Sequence, residues 1–157
     1  MKDLVKEVKQ NIKKQNWLVL STVDSNGKPY SSVLVYQSDG NIIICQTGMN
    51  TLKAINIRAN NKIAITIPIR KNFLHKLIPA PPAEIHFTTE AEILPKENEQ
   101  ARAIFSKYLK HSENADLPQD SIWIKIKVPN KVITYGIGVP LIKMRDPNKA
   151  RNIIYLS

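Results

Sequence analysis

The chain has 157 residues, enough for one ordinary domain and too few for two comfortable ones, and 43% hydrophobic with 23% charged residues excludes disordered, collagen-like and coiled-coil classes. Its 23 Lys and Arg against 13 Asp and Glu leave a formal net charge of +10, which favours anionic partners without naming one. Cys45 is the only cysteine, which excludes a disulfide framework or multi-cysteine metal site within one chain and fits a reducing compartment.

The opening "MKDLVKEVKQNIKK" has charges every two or three residues, unlike the uninterrupted apolar core of a signal peptide. Asp3 can cap a helix there, with Leu4, Val5, Val8 and Ile12 on one face. No run approaches the roughly 18 apolar residues that span a bilayer, so a soluble cytoplasmic protein is expected.

Strands are expected at 17 to 23 and 29 to 36 around Asn26-Gly27, a pair that tolerates positive φ and signals a hairpin. Asp39-Gly40 supplies a second turn into the strand "NIIICQT". "TGMNTLKAINIR" then reads as a strand end and a short helix capped by Thr51 or Asn50, with Leu52, Ile55 and Ala59 on one face. "KIAITIPI", residues 62 to 69, is a fourth strand.

Residues 70 to 83 mix basic and apolar side chains before a run of prolines, and read as a long excursion. "EIHFTTEAEIL" alternates as a fifth strand, and Pro95 opens a helix bearing Ala101, Ile104, Phe105, Tyr108 and Leu109 at helical spacing. "SIWIKIKV" and "KVITYGIG" are expected to form a closing hairpin about Pro129-Asn130. The fold class is therefore mainly β (α+β): an antiparallel barrel of six to seven strands with flanking helices.

Few residues carry chemistry. His75, His86 and His111 fall in different elements without a carboxylate or cysteine at ligand spacing, so no metal site is expected. Ser21, Ser31 and Ser32 lack a nucleophile-elbow motif, no general acid or base is identifiable, and Gly136-Ile137-Gly138 does not continue as a dinucleotide fingerprint. Cys45, in an apolar strand, reads as a buried inert thiol.

Lys53 is the exception, because a cation is disfavoured in the first turn of a helix, where unpaired N–H groups are already positive. Either it is a solvated surface lysine or it shares an anion with those amides and the hydroxyls of Thr47 and Thr51, an arrangement suited to a phosphate monoester.

The order of elements resembles the FMN-binding split-barrel family typified by pyridoxamine 5′-phosphate oxidase. The hairpin "LSTVDSNGKPYSSVLVY", the strand after the Asp-Gly turn, and Thr47, Thr51, Lys53 and Ala54 before "NNKIAIT" carry the resemblance, which covers residues 17 to 69 well and is architectural beyond. It implies that residues 1–157 form a single FMN-binding split-barrel domain. Lys53, Thr51 and Leu52 would hold the FMN phosphate with Gln46 and Thr47 nearby, and the backbone of Ser31, Ser32, Val33 and Leu34 would run along the ring and ribityl chain.

The resemblance further implies a homodimer with cofactor at the subunit interface, completed by residues of the 70 to 83 excursion or Trp123 of the other subunit, and a redox step on a small molecule or with a nicotinamide. Deazaflavin or haem in the same barrel is an open alternative. Two departures stand out. Ser32 occupies the position of the oxidase's phosphate-gripping arginine, leaving Arg58 or Arg70 as substitutes, and the ending "RNIIYLS" lacks the oxidase's Trp-Arg-Pro-type signature, which argues against pyridoxamine phosphate oxidation itself.

Two readings compete with a flavoprotein. One is a basic β-barrel binding nucleic acid, with Trp123 and Phe73 as stacking platforms, although 6% aromatic content and the lack of an RNA-binding motif weigh against it. The other is a split barrel that has lost its cofactor and serves as a binding dimer.

Overall fold

The computed structural model describes residues 2–69, 82–110 and 117–157. Arg70, Phe73, His75 and His111, and with them nearly all of the expected excursion, lie outside the described residues.

Strands β1 (Trp17–Val23), β2 (Pro29–Ser38), β3 (Ile42–Gly48), β4 (Lys62–Ile69), β5 (Ala83–Pro95) and β6 (Ser121–Lys127) run antiparallel in the order β4-β1-β2-β3-β6-β5. Pairing of β4 with β5 closes this sheet into a six-stranded barrel, and β7 (Lys131–Tyr135) and β8 (Arg151–Tyr155) extend it beyond β5. Period-two patterning places the interior: along β4, Ile63, Ile65, Ile67 and Ile69 are buried while Lys62, Ala64, Thr66 and Pro68 are not.

Helix α1 (Lys2–Lys14) buries Val8 and Ile12 in the main core as its spacing predicts, and the Tyr36 hydroxyl donates to the Ile12 carbonyl at 2.8 Å. Both glycine turns form, and within them positive φ is confined to Gly27 (φ 83°) and Gly40 (φ 102°). Asn26 is not, because the Asp24 carboxylate accepts from the amides of Asn26 and Lys28 and sets a wider turn than a two-residue Asn-Gly loop.

Two expectations change. Pro95 does not open a helix: it ends β5, paired with Ile122, and helix α3 (Glu99–Leu109) starts after Asn98, whose side chain accepts from the Ala101 amide at 3.0 Å. β6 and β7 do not form a hairpin. Both pair with β5, β6 along Ala91 to Pro95 and β7 along Glu84 to His86, as successive segments interrupted at Pro129-Asn130, where proline cannot donate to a ladder. Beyond β7 the chain forms a 3-10 turn (Leu141–Arg145), the short helix α4 (Pro147–Ala150) and β8.

Helix α3 covers the outside of the barrel over β2 and β3, where Ala101 and Phe105 join Ile44, Leu94 and Trp123 in a second core. On another outer face, strand register sets Val33, Val19, Thr66, His86, Ile133 and Ile153 in one row across β2, β1, β4, β5, β7 and β8. Apolar side chains stand exposed there, Val33 at 63% and neighbouring Trp17 at 54%. No helix among the described residues is long and apolar enough to cross a membrane.

Candidate functional site

A closed barrel satisfies its backbone by continuous ladders, so a ladder that stops short marks an opening. β2 begins at Pro29 and β3 runs to Gly48, yet they pair only from Tyr36↔Cys45 to Ser38↔Ile43. Below Tyr36 the strands part, and β2 presents to the gap an edge that β3 does not fill.

Helix α2 (Leu52–Ala59) occupies the mouth of that gap. The turn leading to it is tightly held: the Met49 amide donates to the Asp120 carbonyl at 2.8 Å, and the Arg58 guanidinium donates to the Met49 carbonyl at 2.7 Å. A Cβ on Gly48 would lie 2.8 Å from the exposed Asp120 carboxylate, which would have to swing aside. The helix is fixed to β1 by buried Asn56, which donates to the Thr22 hydroxyl at 3.1 Å. Its inward face is therefore Ala54, Asn56 and Ile57, whereas Leu52, Ile55 and Ala59, which their spacing groups on one face, are exposed.

Between the β1–β2 hairpin and the helix start lies a cavity of about 120 Å³, lined by Thr22, Tyr30, Ser31, Ser32, Leu52 and Lys53. Thr51 is the N-cap residue, but its hydroxyl donates to the Gly48 carbonyl at 2.9 Å and contacts the Thr47 hydroxyl at 3.1 Å rather than capping the helix. The first turn also carries no acidic side chain, so its amides have no side-chain acceptor. Half-buried Lys53 has no hydrogen-bond or ion-pair partner among the described residues. Uncapped amides, a cation without a counterion and the Ser31 and Ser32 side chains thus surround one small cavity, whose electrostatics suit an anion.

Four of the nine residues singled out in the sequence, Ser31, Ser32, Leu52 and Lys53, line this cavity. Thr47 and Thr51 stand behind it as a hydroxyl pair. The side chains of Val33, Leu34 and Gln46 are elsewhere: Val33 is on the exposed face, Leu34 packs against the main core, and the Gln46 amide donates to the Ser121 hydroxyl at 2.9 Å. Arg58 is engaged with the Met49 carbonyl.

Thr22 and Tyr30 were not singled out, although they face each other in the hairpin register, and counting back from the Gly27 turn would have found them. The Tyr30 hydroxyl donates to Asp24 at 3.3 Å, and Asp24 is held below the usual carboxylate range, chiefly by the Lys28 amide.

Trp123 is fully buried and donates through Nε1 to the Lys96 carbonyl at 3.0 Å, so it can neither stack on a base nor reach into another subunit's site. His86 pairs with Glu84 at 3.1 Å. The Cys45 thiol is buried and pushed up to about 12 by desolvation, and burial likewise raises the Tyr36 hydroxyl. Among the described residues, no carboxylate or imidazole lines the cavity. Its residues can bind and orient an anion, and redox chemistry there would have to come from a bound group.

The family model for pyridoxamine 5′-phosphate oxidase matches residues 4–130. Similar solved structures include the haem storage protein HutZ of Vibrio cholerae, with 16% identity over 84% of this chain and 94% of that one at a TM-score of 0.69. A FAD-binding protein of Mesorhizobium loti has 16% identity over 81% and 90% of the two chains at 0.60. General Stress Protein 26 of Bacillus anthracis has 20% identity over 87% and 95% at 0.59. At these identities the likeness shows the fold. No curated protein sequence matches the chain significantly.

Proposed function

The chain belongs to the pyridoxamine 5′-phosphate oxidase family, and from that premise we propose that it is a homodimeric FMN-binding protein, an oxidoreductase acting on a small molecule or reduced by a nicotinamide. One observation carries the reading: Lys53, without a partner among the described residues, and the uncapped start of α2 share a cavity with Ser31 and Ser32. At about 120 Å³ it is the smaller of the two cavities beside the hairpin and suits a phosphoryl group better than a flavin ring. The ring would then lie outside, along the edge of β2 that β3 leaves unpaired, where backbone groups can meet its polar rim.

When bound, the flavin supplies the electron and hydride chemistry. In this reading the chain's own part is to bind and orient. Lys53 and the amides of α2 neutralise the phosphate, Ser31 and Ser32 supply hydroxyls, and the Asn56–Thr22 bond fixes the helix against the hairpin. The row from Val33 to Ile153 would be the face on which two copies meet, since exposed Val33 and Ile153, with Val19 and Ile133 in register between them, make a poor water-facing surface. A cytoplasmic location accompanies this reading.

Haem in the same split is the second reading, supported by the likeness to HutZ, with Lys53 then facing a propionate. Titrating the purified protein with FMN, riboflavin and hemin separates these readings. The expected result is saturable FMN binding, tighter than riboflavin and with yellow colour retained through gel filtration. A hemin complex without FMN binding would favour the second reading, and neither would indicate a cofactor-free dimer.

A further inference from the structure

A second ladder also stops short. β1 runs to Val23 and β4 starts at Lys62, but they pair only from Val19↔Thr66 to Ser21↔Ala64. Where they part, a cavity of about 510 Å³ opens between Thr22 and Val23 on one side and Lys62 and Ile63 on the other. Register places Ser21, Ala64 and Thr88 side by side across β1, β4 and β5, and these short side chains form its floor.

This cavity adjoins the anion corner. Thr22 lines both, and the hydroxyls of Ser21, in the larger cavity, and Ser31, in the smaller, lie 2.7 Å apart. Its chemistry differs, however. Lys62 and Glu90, directly opposite in the β4–β5 register, bring opposite charges to the rim, so no net field selects an ion. Val23, Pro29 and Ile63 give apolar walls, and the facing strand edges beyond Ser21 and Ala64 offer backbone donors and acceptors together. The volume is in the range of small-molecule sites.

We propose that this opening binds a neutral or zwitterionic planar molecule carrying amide-type donors and acceptors, held beside the group that occupies the Lys53 corner. A flat ring can lie on the Ser21–Ala64–Thr88 floor because none of the three projects beyond a short side chain. Its polar rim then meets the strand edges as a third strand would. The assignment as a site for a second reactant rests on the proposed function, whereas binding of the planar amide does not.

The test uses the full chain without cofactor, labelled with ¹⁵N, and titrated with nicotinamide as the neutral probe and benzoate as the anionic one. Nicotinamide is expected to shift the amides of Thr22, Val23, Ile63, Ala64 and Thr88, with benzoate acting more weakly there. Ala64→Phe, which fills the floor, should abolish those shifts while FMN affinity stays within about twofold. Thr88→Tyr, on an exposed position of β5, should do the same and serves if the first variant folds poorly.

Shifts confined to residues around Lys53, shifts that survive both substitutions, or no shift at tens of millimolar would overturn the proposal. Loss of FMN binding with the nicotinamide shifts intact would instead remove the flavin reading and leave this site standing.

Discussion

Replacing Lys53 with alanine tests the anion corner with two opposed signs. A charge-assisted hydrogen bond contributes about 1.5–3 kcal/mol, and because Lys53 is half-buried the lower part of that range applies, about 1.5–2 kcal/mol. FMN binding should therefore weaken roughly 10- to 30-fold. The apo protein should move the other way. With no partner to lose among the described residues, removal of a cation from the first turn of α2 relieves about 0.3–1 kcal/mol of repulsion with the helix dipole, and alanine favours the helix.

Differential scanning fluorimetry of the apo variant should then show a Tm unchanged or about 1–4 °C higher. At an FMN concentration 1,000 times the wild-type Kd, ligand stabilisation should fall from about 4 kcal/mol to about 2–3 kcal/mol. Riboflavin, which lacks the phosphate, supplies the control, and its affinity should be the same for both proteins. If FMN and riboflavin weaken together, or the apo variant melts well below wild type, Lys53 supports the fold rather than the phosphate and the reasoning fails.

Ser32→Arg should add a second cation to the same cavity, tightening FMN about tenfold while lowering the apo Tm, because two cations without an anion repel; isothermal titration calorimetry and fluorimetry check the two halves. Val33→Glu, on a strongly exposed position, should leave the circular dichroism spectrum unchanged and convert the dimer to monomer in sedimentation velocity; a persistent dimer would place the interface elsewhere. Cys45, pushed up to about 12 by burial, should carry roughly one thiolate in 10⁴ molecules at pH 8 and stay unlabelled by a thiol-specific disulfide reagent until the chain is unfolded in denaturant.

Local patterning made the barrel legible. β4 was bounded at residues 62 to 69 because isoleucine recurs at every second position between two asparagines and a basic run. The hairpins were legible from glycines that must turn left-handed. What failed depended on distant partners. The buried face of α2 includes Asn56, a polar residue that apolar spacing cannot select, and its burial follows from the bond to Thr22, 34 positions away. The supposed β6–β7 hairpin failed because β5 is long enough to pair with both strands in turn. In the site, Lys53 was visible as a local conflict with the helix dipole, while Thr22 and Tyr30 belong to it only through register.

The two interrupted ladders explain why binding chemistry should gather at one end of the barrel. From Thr22 to Ser31 the hairpin loses β4 on one side and β3 on the other, so it cannot be held by its neighbours in the sheet. It is held from its tip and from below. Asp24 accepts from two turn amides and from Tyr30, and Asn56 of α2 grips Thr22. An arm braced in this way keeps its position while both edges stay open, so that Ser31 and Ser32 face Lys53 on one side and Ser21 faces the larger cavity on the other. Weakening the brace without touching either cavity's charge, as in Asn56→Ala, should therefore loosen ligand binding on both sides together, a coupling that two unrelated surface hollows would not show.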